Sequence, residues 1–321
     1  MTTATDLAGT LPPKSPQPRN RSARIPSRSL LKPLCLAPVL TLYALLFVLP
    51  LLFLLWVGFW RVENFRAVQD FSLNNYAQIF ADWFEGSRYG LAMVQSLWVA
   101  STTAIIAVIF SFLVAMALVF ALPERGRRLG LLFVVVPFWS SYVLRLYSWQ
   151  TILATNGVLN AALTSIGLDF LTVDIIFTQA ATRVGLVHFL TPILVVILFV
   201  TLSSIDRTLV DAARELGATR WQAFTRVILP LSGFGIASAL SFAVIISMGD
   251  VLAGALLGGG AGGSWIGQLP LYALMIMTDY AGSTNLPRVS ALATILVLVM
   301  VALLAAGFAL ANAQRRKVMG G

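Results

Sequence analysis

The chain has 321 residues, 58% of them hydrophobic and only 11% charged, where soluble domains carry about 25% charged residues. So apolar a composition excludes an ordinary water-soluble globule, which would leave large greasy patches facing water. The formal charge of +9 does not point to nucleic acid either, because the Lys and Arg residues sit at the ends of long apolar runs rather than along one amphipathic element.

In chain order, residues 1–33 are polar, basic and rich in Pro and Ser, which predicts a flexible arm. Six apolar runs follow, at about residues 34–60, 91–122, 129–153, 180–202, 229–257 and 289–313. Each is long enough for a helix to cross a bilayer, which takes about 20 apolar residues. The runs are continuously apolar rather than alternating, which argues against barrel strands. The first run is too long for a signal-peptide core and has no persuasive cleavage site after it, so it is expected to be retained. Residues 61–90 contain Tyr76, Trp83, Phe84 and Tyr89, which suit either an interfacial segment or an ordinary ordered loop. The glycine-rich run at 257–263 lacks lysine, so it reads as a flexible hairpin or gate loop rather than a phosphate cradle. A short basic tail, 314–321, carries Arg315, Arg316 and Lys317.

Basic residues set the orientation. Most of the 22 Lys and Arg residues fall in the N-terminal arm, in the second connection (Arg125, Arg127, Arg128), in the fourth (Arg207, Arg214, Arg220, Arg226) and in the tail. The opposite side holds Arg61, Arg66, Arg88 and Arg288. Positive charge stays in the cytoplasm, which predicts cytoplasmic N and C termini and an even number of spans.

The fourth connection, about 203–228, is long for a loop between membrane helices. Asp206 is a plausible N-cap, and Leu209, Ala212, Ala213 and Leu216 then fall on one helical face. Gly217 suits a C-cap, because glycine adopts the left-handed conformation without a steric penalty. A second short helix is expected from about Thr219 to Val227, with Pro230 near the first turn of the fifth span. Ala212, Ala213, Gly217 and Ala218 carry little side-chain bulk, so the loop suits either close approach of another protein or rest upon lipid headgroups.

Polar residues inside spans mark pathways or partners. Arg145 falls in the outer half of the third span and Asp250 in the outer half of the fifth; the two form an ion pair, or one or both meet a solute or gate. His188 is the single histidine, and Pro192 is expected to kink its span. Trp139, Tyr142, Tyr147 and Trp149 either line a cation-friendly passage, face lipid or pack between helices. One His and one Cys exclude a His/Cys zinc cluster, Cys35 alone makes no intramolecular disulfide, and no spacing singles out a nucleophile and base. No metal site and no catalytic residue is expected.

The stretch Asp211-Ala212-Ala213-Arg214-Glu215-Leu216-Gly217-Ala218, followed by Ile228-Leu229-Pro230, resembles the "EAA" signature of binding-protein-dependent ABC importer permeases. Asp211 stands where that family has Glu, and the ending is compressed to Ile-Leu-Pro. Two further stretches resemble the spermidine/putrescine-type branch: Pro137 to Trp149, continuing through Asn156-Gly157 to Asn160, and Gly249-Asp250 followed by Leu256 to Gly259. After Gly-Asp this chain has Val251-Leu252-Ala253-Gly254 where the branch usually has Phe-Val-Thr-Pro.

The resemblance implies an all-α polytopic membrane protein of about six transmembrane helices with the type I ABC importer permease fold, in a bacterial inner membrane. It implies that Asp211, Ala212, Ala213, Glu215, Leu216, Gly217 and Ala218 form a coupling helix that docks on a cytoplasmic ATPase. Two ATPase subunits, a second and different permease chain and a soluble solute-binding protein are the implied partners. ATP and Mg²⁺ would bind the ATPase, this chain holding no cofactor and performing no hydrolysis. Arg145, Trp149, His188 and Asp250 are the candidate pathway or gate residues. The solute stays open among polyamines, other organic cations and small organic acids. The competing reading is a stand-alone secondary transporter or channel driven by an ion gradient.

Overall fold

Three Leu-Pro pairs mark where helices in this chain change their winding. Wide, five-residue turns at Ala44–Val48, Ala117–Ala121 and Phe224–Ile228 each run directly into Leu49-Pro50, Leu122-Pro123 or Leu229-Pro230. A proline nitrogen has no proton to donate, and its ring crowds the carbonyl four residues back. Widening the turn just before it passes hydrogen bonds to carbonyls five residues back: the Leu49 amide donates to the Ala44 carbonyl, and the Leu229 amide to that of Phe224. At Leu122 the backbone instead becomes extended and the helix stops.

The computed structural model describes residues 31–63, 66–84, 88–172, 174–258, 271–282 and 285–319. The arm at 1–30, the glycines after Gly258 and the end of the tail therefore lie outside the described residues. The chain divides into two compact units, Met1–Leu52 and Phe53–Gly321, the boundary falling inside the first span, α1 (Ala37–Val57). In the first unit the helix begins at Leu31 and carries Pro38.

In the second unit a two-stranded antiparallel hairpin, β1 (Arg61–Glu63) and β2 (Arg66–Val68), adds a small β element that hydropathy did not signal. Helix α2 (Asn74–Phe84) follows. The loop is ordered by its own contacts: Phe59 stacks on Phe71 at 5.0 Å, and the Asn75 amide donates to the Gly58 and Trp60 carbonyls at 3.0 and 2.8 Å. Ile79 on α2 is fully buried. The described parts of residues 61–90 are thus ordered by contacts of their own.

Next come α3 (Arg88–Ala121), α4 (Glu124–Trp139), α5 (Tyr142–Leu153), α6 (Val158–Ser165) and α7 (Gln179–Ser203). Two short helices in the fourth connection are α8 (Arg207–Glu215) and α9 (Arg220–Leu231), followed by α10 (Gly233–Gly249) and α11 (Leu252–Leu256). The last two are α12 (Tyr272–Gly282) and α13 (Leu286–Met319), the latter running through most of the basic tail.

Among the described residues four helices are long and apolar enough to cross a membrane, or six if each bent pair counts as one span. The fold is thus mostly helical with the predicted number of spans, but the third and fifth are not straight rods. The third bends by 90° between Trp139 and Tyr142, and the fifth by 64° between Leu231 and Gly233. Pro230 therefore lies at the end of a limb that begins at Arg220, rather than opening a fresh span. Helix α7 runs unbroken through Pro192.

Small residues set the spacing of the bundle. Along α3, Ala100, Ala104, Ala107, Ser111 and Ala115 are all fully buried, and α3 packs along α7 and α10. Lipid-embedded helices gain little from the hydrophobic effect between themselves, so close backbone approach through Ala, Gly and Ser holds them together. Gly235 on α10 meets Thr201 of α7, and Gly307 on α13 meets Ser241 of α10; a methyl group at either glycine would collide with that partner. Leu190, Leu194, Leu198 and Leu202 of α7 fill the core beside the alanine stripe. A second core joins α2, α12 and α13 through Ile79, Tyr272 and Leu292. There the Tyr272 amide donates to Ser96 Oγ at 2.7 Å.

Candidate functional site

The connection between α7 and α10 is built by local chemistry. Asp206 caps α8 by accepting the Thr208 amide at 2.9 Å. That bond holds the Asp206 carboxyl below its usual range. At the other end the Ala218 amide reaches the Ala213 carbonyl and the Gly217 amide reaches that of Arg214, both at 3.0 Å. This pair of bonds is a Schellman closure, and it requires Gly217 at φ +86°. Thr219 then starts α9 with a capping box: its hydroxyl accepts the Gln222 amide, and the Gln222 side chain accepts the Thr219 amide.

The double helix turn is anchored on one side and bare on the other. Val210 and Phe224 pack against the bundle core, with Phe224 edge-on to Phe112 at 6.2 Å. The Arg207 guanidinium donates to the Val119 carbonyl and lies over the Phe120 ring. On the outer face Leu209, Leu216 and Trp221 are 50%, 89% and 70% exposed. Ala212 is exposed beside them, and Asp211, Glu215, Gly217 and Ala218 line a shallow recess with Arg214. The seven residues singled out from the sequence therefore gather on one short element, with Ala213 and Ala218 half-buried in its closing turn.

A second constellation lies between α4, α5, α7 and the end of α10. The Tyr142 hydroxyl donates to Asp250 Oδ2 at 2.8 Å, and Asp250 Oδ1 accepts the Ala253 amide at 2.7 Å. Arg145, one turn from Tyr142, is framed by the rings of Phe138, Tyr142 and Phe189 at 5.7–5.9 Å. Its Nε and Nη1 are buried and meet no hydrogen-bond acceptor among the described residues. The ion pair between Arg145 and Asp250 allowed by the sequence is not formed; Tyr142 satisfies the carboxylate, and the guanidinium is held by aromatic faces instead.

Trp149 stands one turn further along α5, edge-on to His188 at 5.7 Å. Both line an open groove of about 720 Å³ with Phe110, Phe133, Pro137 and Arg183. Arg183 lies near the start of α7. Its Nε donates to Thr102 Oγ1 at 3.0 Å and its Nη2 to Gln179 Oε1 at 3.4 Å. The structure thus joins Arg145, Trp149, His188 and Asp250 into one neighbourhood through Tyr142 and Phe189. Trp139 is 87% exposed and takes no part in it. Among the described residues no three His, Cys, Asp or Glu side chains come together as a metal site.

Residues 96–319 match the family model of the binding-protein-dependent transport system inner membrane components. The spermidine/putrescine transport system permease protein PotB of Salmonella typhimurium (strain SL1344) is 33% identical over 190 residues, 59% of this chain; the match spans 64% of that relative's length. PotB of Haemophilus influenzae is 29% identical over 80% of this chain and 85% of its own. The inner membrane ABC transporter permease protein YdcU of Escherichia coli (strain K12) is 26% identical over 79% of this chain and 80% of its own. A chain of a bacterial alginate ABC transporter, crystallised with an alginate pentasaccharide-bound periplasmic protein, superposes with a TM-score of 0.68. Its identity is 19%, over 91% of this chain and 96% of that one, a likeness of fold.

Proposed function

We propose, from the premise that the chain belongs to the family of binding-protein-dependent transport system inner membrane components, that it is the membrane-spanning permease subunit of an ATP-driven importer. Residues 34–313 form the permease domain, between a basic arm at 1–33 and a basic tail at 314–321. It sits in a bacterial inner membrane with both termini in the cytoplasm, the orientation that the Lys and Arg distribution favours. ATP and Mg²⁺ bind two separate ATPase subunits, and this chain supplies no catalytic group. A second, different permease chain completes the pathway, and a soluble binding protein delivers the solute. PotB relatives carry spermidine and putrescine in their names, so a polyamine or another small organic ion is the solute class put forward.

The observation that carries this reading is the outer face of α8 and the start of α9. Leu216 at 89% exposure and Trp221 at 70% exposure stand on a rigidly capped loop, with Trp221 resting one side of its ring on Phe224 at 5.4 Å, and exposed apolar clusters of this kind mark protein interfaces. An ATPase groove that receives Leu209, Leu216 and Trp221 would couple its closure to the limb α9 and so to α10. Alternating access needs two packings of one bundle, and the bends at 140–141 and at 232 are the breaks about which segments of spans can turn. Arg145, Trp149, His188 and Asp250 are assigned to the pathway or its gate.

Affinity purification of the tagged chain from its native membrane tests the reading. Co-purification of an ATPase, and solute uptake in vesicles that requires ATP, are the expected results. Uptake by the purified chain alone, driven by an ion gradient without ATP, would establish the stand-alone transporter instead.

A further inference from the structure

A second groove, of about 710 Å³, opens between the end of α3 and the α8–α9 connection. Its floor is apolar, with Leu113 and Phe120 from α3. Its rim holds Arg207, Arg214 and Arg220, against Asp211 as the single acidic lining residue. Arg207 is fixed by the Val119 carbonyl and the Phe120 ring. Arg214 and Arg220 are exposed and make no ion pair among the described residues. The recess therefore joins a net positive rim to a greasy floor at the end of a membrane-spanning helix.

The apolar floor does not stop at the groove. Ile105, Ile109 and Leu113 lie four residues apart on α3 and are 50%, 58% and 54% exposed. They form a ridge that leads from the arginines along the span. Leu216 and Trp221, the bare apolar residues of the connection, are not among the residues lining the groove, although it adjoins the ATPase-facing recess through Asp211 and Arg214, which line both.

We infer that this groove binds one anionic phospholipid, its phosphate held by Arg207, Arg214 and Arg220 and an acyl chain laid along Leu113, Ile109 and Ile105. A free phosphate would use the rim and leave the ridge without a role. A soluble protein partner would not follow the ridge into the span. A lipid uses both halves, and basic pockets at the cytoplasmic ends of membrane helices hold anionic headgroups for this reason. Placement in the inner leaflet rests on the orientation proposed above; lipid binding itself does not.

The test uses the full chain, purified in detergent and delipidated, with bound lipid counted by native mass spectrometry. Phosphatidylglycerol should be retained at a concentration at least about thirtyfold lower than phosphatidylcholine, the pull of two or three basic side chains on an anionic headgroup. The R214Q/R220Q pair should bring the two lipids close to parity, R214K/R220K should keep the preference, and R128Q, on the exposed start of α4, should not change it. The lysine pair keeps the test decisive if the glutamine pair fails to fold. A preference that survives R214Q/R220Q, or one lost equally in R128Q, would overturn the site. So would complete displacement of the lipid by millimolar inorganic phosphate, which would make the groove a simple anion site.

Discussion

Tyr142 and Asp250, 108 positions apart in sequence, are joined at 2.8 Å by a hydroxyl-to-carboxylate hydrogen bond that links α5 to the residue following α10. The same carboxylate accepts the Ala253 amide in the first turn of α11. One aspartate thereby ties the start of α5, just past the bend of the third span, to the junction between α10 and α11.

Removing the hydroxyl tests that tie. Tyr142→Phe should cost about 0.5–2 kcal/mol, the range for polar contacts within membrane bundles. Asp250→Asn should be milder, because an amide oxygen still accepts from Tyr142. The Tyr142→Phe and Asp250→Ala effects should be clearly less than additive in a double-mutant cycle read by thermal unfolding in detergent. Full additivity would mean that the two side chains do not act on each other.

Leu216 separates docking from folding. At 89% exposure it supports little of the fold, so Leu216→Ser should shift stability by no more than about 0.5 kcal/mol. Association with the ATPase should fall at least about tenfold, since burying a leucine side chain at an interface is worth about 1.5–3 kcal/mol. Leu202→Ala in the core should show the reverse order, with about 2–5 kcal/mol lost on folding. Equal losses of stability from both changes would contradict the division of labour.

Gly217 carries the turn by its backbone. A methyl group there meets no atom within 4 Å in this chain, but φ +86° strains any L side chain by about 1–2 kcal/mol. Gly217→Val should therefore disorder the turn and abolish ATPase capture, while membrane insertion stays normal. Gly217→Asn, which tolerates the left-handed region, should retain the turn by protease protection yet weaken capture through its added bulk. Capture at the level of the unmodified chain by the valine variant would remove the docking role.

Asp206 makes the connection sensitive to acid. Its carboxyl is held below the ordinary range by the Thr208 amide, so the cap is fully formed above the unfolded pKa and is lost as pH falls through the lower, folded value. Protease protection of the 203–228 segment should decline in that acidic window. Asp206→Asn keeps an acceptor for the amide and should flatten the decline. An unchanged acid profile in that variant would assign the effect to another group.

Much of this connection was legible beforehand because its devices are local. Asp206 and Gly217 act on amides and carbonyls within five residues of themselves. The Thr219–Gln222 box follows the same spacing rule and could have been read alongside them. The bends at 140–141 and 232 were not legible, since Pro137 and Pro230 show that a helix is weakened without showing where packing will turn it. Pro192 lies inside a continuous helix, flanked by the buried residues Leu190 and Leu194. The choice of Tyr142 over Arg145 as partner for Asp250 depended on side-chain reach across two elements, which hydropathy and charge counts do not encode.

The limb that begins at Arg220 and ends at the break before Gly233 spans roughly 18 Å at 1.5 Å per residue. It is a stiff lever with Trp221 at one tip and a buried serine, Ser232, at its fulcrum. Rotating such an arm by about 10° sweeps its free tip through roughly 3 Å at that length, which is less than one helical turn and needs no hydrogen bond inside the arm to break. A nudge applied at the water-facing end would thus arrive in the middle of the bundle as a change of angle rather than as a change of length.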